Sequence, residues 1–338
     1  MRRDDDTLIT AAALLAIVCL VLLAALRASD EPPAAMRGAG AAARVGGLET
    51  TFDGTTYHIA GTVRDHFDRT HVLLFTVDGE AVRRAREEYG FDRHELPGFL
   101  EQGLLAYVRD ESARRSLDVT ATVAATSDGS VDLQFRYRTR SDTERAAVKR
   151  LMEDASTKVD ELRAAWYHRC GFVVEGDTVR PDYQWLKDRN APRLADLHSR
   201  LVGGGGDGDR LSLTLAFCQQ IPYTVEPMDP DGRFTSGVLP PTQVVVEQHG
   251  DCDCKAVLFA TLWAGPAHGD VILVDVPGHV FAAVRGQPRF ATDTAFTLDG
   301  QSYLCVEPVG PGIVPAGQVA ASSRQHLRAG NYRLIPVA

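Results

Sequence analysis

The segment HGDCDCKAVLFATLW, His249 to Trp263, limits the possible folds more than any other part of the chain. From Lys255 to Trp263 it is apolar nearly all round, so a helix formed here has no face to turn to water and is expected at the centre of a domain. A chain of 338 residues, 44% of them hydrophobic, can build a core large enough to enclose it. Cys252 then sits at or just before the helix N-terminus, where unpaired backbone N–H groups and the positive end of the dipole favour a thiolate. Asp251 and Asp253 act against that, because neighbouring carboxylates raise a thiol pKa. The sulfur needs an imidazole partner if it is to act as a nucleophile.

A second constraint lies at the start of the chain. TLITAAALLAIVCLVLLAAL, Thr7 to Leu26, supplies about the 20 apolar residues with which a helix crosses a ~30 Å hydrocarbon core. Residues 1–27 are expected to be a single-pass signal anchor, with a cleaved secretory signal as the alternative because small residues follow at Ala28-Ser29 and Ala34-Ala35. Arg2 and Arg3 precede the span, while Arg27, Arg37 and Arg44 follow it, so flanking charge does not fix the orientation. By analogy with ordinary signal anchors, the short head and long tail place the body outside the cytoplasm, in a bacterium at the inner (cell) membrane facing the periplasm. Residues 28–47, rich in Ala, Gly and Pro, form a flexible linker.

The net charge of −9 argues against nucleic-acid binding, which needs a concentrated basic face. Of six cysteines, Cys19 falls within the apolar span, leaving the odd set Cys170, Cys218, Cys252, Cys254 and Cys305. An odd number points to a working thiol or to buried apolar cysteines rather than a disulfide framework.

The expected fold class is α+β: an accessory region over 48–175 followed by a second domain over 176–338. THVLLFTVDGE reads as a strand ending in a turn, and the segment from Ala81 to Val108 as two short helices broken near Gly90 and Pro97. Leu117, Val119, Ala121 and Val123 alternate with polar residues and Val131, Leu133, Phe135 and Tyr137 alternate back, so Asp128-Gly129 is expected to turn a β-hairpin. A long helix follows, with Ser141 and Glu144 as a capping box and Gly171 as its stop.

Further along, His279 opens an apolar strand after the Pro277-Gly278 turn, and Glu307 lies inside another, where an unpaired carboxylate would be costly. One imidazole answers three needs: it can take the Cys252 proton, neutralise Glu307, and have its own tautomer fixed by that carboxylate. Gaps of 27 and 28 positions suit a helix followed by strands of one antiparallel sheet.

FCQQIPYT, PPTQVVVEQHGDCDCKAVLFATL, GHVFAAV and YLCVEPVGPG together resemble, in this order, four segments of bacterial transglutaminase-like domains, over about Leu211 to Gln318. The resemblance implies a papain-like thiol fold, with a central helix carrying Cys252 against an antiparallel sheet carrying His279 and Glu307, and Gln219 as an oxyanion donor. Three positions depart from the family's usual pattern: Cys254 stands where Asp is common, Gln243 replaces a frequent Glu, and Val309 replaces a frequent Thr.

Other readings of the paired cysteines fit less well. Zinc would draw on His249, Cys252 and Cys254, but C-x-C is a poor clip and no second ligand pair follows at the usual spacing. A redox pair is expected as C-x-x-C, and a Cys252–Cys254 disulfide would close a strained ring. Cys170, Cys218 and Cys305 are assigned to packing. No cofactor or metal is expected. The expectation is a membrane-anchored cysteine peptidase or amidase acting on a protein or peptide substrate through Cys252, His279 and Glu307. An amine-acceptor cross-linking transglutaminase and a non-catalytic envelope scaffold are the alternatives, and the oligomeric state is left open.

Overall fold

A computed structural model describes residues 47–202, 206–263, 271–310 and 312–337. The expected anchor, the linker up to Gly46 and Cys19 lie outside the described residues. Among those described, no helix is long and apolar enough to cross a membrane. The architecture is α+β with antiparallel sheets.

The chain opens on a three-stranded sheet, β1 (Leu48–Phe52), β2 (Thr56–Arg64) and β3 (Thr70–Asp78). Leu73, Phe75 and Val77 of β3 point inward, as period-two alternation requires. The turn expected after β3 is instead a helix start: Asp78 caps α1 (Gly79–Glu88) by accepting from the Glu80 N–H. Helix α2 (Glu95–Arg114) is longer than expected and starts before Pro97, which is no break but stands in its first turn, where a missing N–H costs no helical hydrogen bond. The predicted hairpin forms as β4 (Asp118–Ala125) and β5 (Val131–Arg138), with Val123 opposite Leu133 and Gly129 at φ +84°. In α3 (Asp142–Arg169) the Ser141 hydroxyl accepts from the Glu144 N–H at 3.1 Å, as an N-cap should.

Next come the small hairpin β6 (Phe172–Glu175) and β7 (Thr178–Pro181), then α4 (Tyr183–Asn190), α5 (Ala195–Val202), α6 (Asp207–Gln220) and α7 (Pro241–Glu247). Helix α8 (Cys252–Trp263) precedes strands β8 (Val271–Val276), β9 (His279–Arg285), β10 (Ala295–Leu298) and β11 (Gln301–Val306). Helix α9 (Ala321–Ala329) and β12 (Arg333–Val337) complete the fold. The last five strands form one antiparallel sheet in the order β10-β11-β9-β8-β12.

The chain divides into two compact units, and the division differs from the one expected. Residues 94–163 form one unit, cored by Val108, Val119, Val148, Leu151 and Ala155. Residues 47–93 belong with 164–337, because β3 packs on α5, β2 packs on α6, and Phe91 meets Trp166 and Phe172 in an aromatic cluster. Sequence order hid this, since the partners of β2 and β3 come more than a hundred residues later.

Helix α8 is enclosed as its composition demands. It lies on β8 and β9, with α4, α6 and α7 around it, and from Cys254 to Trp263 every residue is buried. Burial of Val257, Leu258, Phe259 and Leu262 stabilises this unit by about 1.5–3 kcal/mol for each side chain.

Candidate active site

The fold brings the first turn of α8 to the start of β9. Asp251 sets the helix start: its carbonyl accepts from the Lys255 N–H at 3.1 Å and its carboxylate from the Cys254 N–H at 3.0 Å. Gly250 is required just before it, since a Cβ there would lie 2.7 Å from the Cys254 Cβ. Cys252 is thereby held at the helix N-terminus, partly open to solvent, while Cys170, Cys218, Cys254 and Cys305 are buried and none of the five is in a disulfide. The backbone of Val280, one residue into β9, acts on the Cys252 thiol in the direction that favours its thiolate.

His279 precedes Val280 in the strand. The Pro277-Gly278 turn delivers it, with Gly278 at φ +76°, a conformation that favours glycine. Its Nε2 lies 2.9 Å from Glu307 Oε2, and both side chains are almost wholly buried. With Nε2–H donated to the carboxylate, Nδ1 is the position from which a thiol proton can be taken. Burial works against the imidazolium, but the hydrogen bond and charge of Glu307 outweigh it, and the His279 pKa is raised above its ordinary value. Glu307 Oε1 accepts from the Val309 N–H at 3.2 Å, so both carboxylate oxygens are engaged.

The thiol itself is strongly held in its protonated form. Burial is the largest cause, followed by the charges of Asp253 and Asp251. The thiol donates to Asp253 Oδ1 at 3.4 Å, and Tyr183 donates its hydroxyl to Asp253 Oδ2 at 2.6 Å. Burial and the charge of Asp251 push the Asp253 carboxyl up to about 6.

Gln219 does not serve as the expected oxyanion donor. Its Nε2 donates to the carbonyls of Glu307 and Val314, at 2.8 Å each, and its Oε1 accepts from the Val314 N–H at 3.1 Å. Both amide hydrogens are therefore committed, and the side chain ties the end of α6 to the segment after β11. The Cys252 backbone N–H is the remaining donor from the expected pair.

Lys255 was missed because it opens the apolar run. It is fully buried, and its Nζ donates to the carbonyls of Ile221 and Val309, at 2.7 Å each. Burial brings its pKa down to about 8, against the opposing charges of Cys218, Glu307 and Cys254. A charged side chain in an otherwise apolar helix was the available signal, since such groups are rarely buried without partners.

The other cysteines have structural partners. The Cys254 sulfur accepts from the Leu239 N–H at 3.1 Å. Burial pushes the Cys218 and Cys305 thiols up to about 12, as suits packing residues. His249 Nδ1 is taken by Glu226 at 2.7 Å, and among the described residues no three His, Cys, Asp or Glu side chains are placed to hold a metal ion. A cavity of about 870 Å³ opens beside β10 between Asp293, Phe296 and Arg324, with Glu307 in its wall; Cys252 and His279 do not line it.

No family model matches the chain, and no curated protein or solved structure is significantly similar to it.

Proposed function

We propose that the chain is a thiol-dependent amide acyl-transfer enzyme of the transglutaminase-like, papain-like type, working as a cysteine peptidase or amidase. One observation carries this reading: a buried imidazole, oriented by a buried carboxylate at 2.9 Å, opens strand β9, which packs on the helix whose N-terminus carries Cys252. Cys252 attacks the amide carbonyl, and His279 Nδ1 takes the thiol proton. Glu307 stabilises the imidazolium, which then protonates the leaving amine. Water, activated by the same imidazole, resolves the thioester. The Cys252 N–H faces the developing oxyanion, a role in which a single donor is worth about 2.7–4 kcal/mol. The apolar segment Thr7–Leu26 supports a single-pass anchor at the cell membrane, and the analogy with ordinary signal anchors puts the enzyme on its outer side.

Fluorescein-labelled casein, with dansylcadaverine as amine acceptor, tests the reaction. Release of labelled fragments that is lost in Cys252→Ala supports the hydrolase. Cys252-dependent incorporation of the amine without fragments assigns transamidation instead. Turnover that survives Cys252→Ala overturns the reading.

A further inference from the structure

The mechanism above uses His279 and Glu307 but leaves a second carboxylate in contact with the sulfur unexplained. Asp253 has both oxygens committed, one to the Cys252 thiol at 3.4 Å and the other to the Tyr183 hydroxyl at 2.6 Å. Tyr183 is buried at the first position of α4, which packs on α8, so its hydroxyl is fixed against Asp253. A first-turn carboxylate often does no more than complement the helix dipole. Here Asp251 already caps the helix, and a dipole partner needs no buried tyrosine behind it.

We propose that Asp253, braced by Tyr183, is a positioning residue for the nucleophile: its carboxylate holds the Cys252 thiol as a hydrogen-bond donor, so the resting site keeps its sulfur protonated. This rests on the reading of Cys252 as nucleophile and adds a control to it. The charged and titratable groups that face Asp253 are Asp251 before α8, Cys252 beside it, Tyr183 and Tyr89, Tyr223, Asp275 on β8 and His279 on β9. The Asp253 charge also favours the imidazolium of His279, but the sulfur is in hydrogen-bond contact and feels it more strongly. As pH falls toward 6 the carboxyl takes up a proton, and its opposition to the thiolate ends.

Alkylation of Cys252 by iodoacetamide, followed by peptide mass spectrometry from pH 5 to 10, tests this. Asp253→Asn is expected to move the high-pH limb of the rate profile down by about one unit or more, a roughly tenfold rise in rate below the midpoint. Tyr183→Phe removes a donor that favours the Asp253 carboxylate, so labelling between pH 6 and 8 rises by a smaller factor, with no change above pH 9. A purely structural Asp253 would lower the melting temperature without moving the limb. A limb unmoved or moved upward in Asp253→Asn overturns the proposal. If that variant does not fold, an unchanged profile in Tyr183→Phe overturns it. The readout needs no turnover: casein cleavage with an unmoved limb sinks only the role of Asp253, and a moved limb without cleavage or amine transfer sinks only the enzyme reading.

Discussion

Residues 94–163 and the unit built around α8 solve the same folding problem with different materials. In the first, no charged residue is buried, the core is formed from side chains such as Val108, Leu151 and Ala155, and charges such as Arg145 and Asp142 pair at the surface. In the second, Lys255 and Glu307 are buried, and the buried amide of Gln219 makes three hydrogen bonds. Burial of charge opposes folding unless partners are supplied, and an apolar core does without it. The first unit shows that this chain can build a core without buried charge; in the second, Asp65 is buried as well and is held by Arg69 and His71, so buried charge there is matched by partners both beside α8 and away from it.

That contrast can be broken or sharpened by substitution. Glu307→Gln has the largest expected effect, about 10²–10⁴-fold on turnover, as for loss of a triad's orienting acid. Glu307 raises the His279 pKa, and His279 must be neutral to accept the thiol proton, so activity falls as pH drops through that pKa. In Glu307→Gln the acid limb should therefore move to lower pH, which a pH–rate profile checks. Lys255→Met leaves the Ile221 and Val309 carbonyls unpaired in the core and should destabilise the protein by about 3–5 kcal/mol in urea unfolding. Leu151→Ala should cost about 2–5 kcal/mol in stability while leaving the pH midpoint of Cys252 alkylation unchanged, since the core it opens holds no charge. The smallest effect belongs to Arg145→Ala: its pair with Asp142 is exposed at both ends, and the change in stability should stay below about 0.5 kcal/mol.

Features with local or periodic causes were legible in the sequence. The Val119–Val131 hairpin follows from alternation about a turn glycine, the buried α8 from its lack of a polar face, and the meeting of His279 with Glu307 from the cost of a carboxylate inside an apolar strand. What escaped depends on contacts between distant segments. Gln219 finds its carbonyl partners 88 and 95 positions away, and Asp253 finds Tyr183 70 positions earlier, distances over which no residue pattern carries information. The unit boundary escaped for the same reason, because β2 and β3 bury their inner face against helices that come much later. Lys255 was visible, but an apolar pattern absorbed the one residue that did not fit it.

The central claim is that His279 acts on the Cys252 thiol, and the pH profile of iodoacetamide labelling at Cys252 in the parent protein and in His279→Ala tests it without any substrate. The account predicts that the parent labels measurably near neutral pH, with an inflection at the raised His279 pKa, and that His279→Ala loses this inflection and keeps only the high-pH limb of an unassisted thiol. Identical profiles in the two proteins would contradict it.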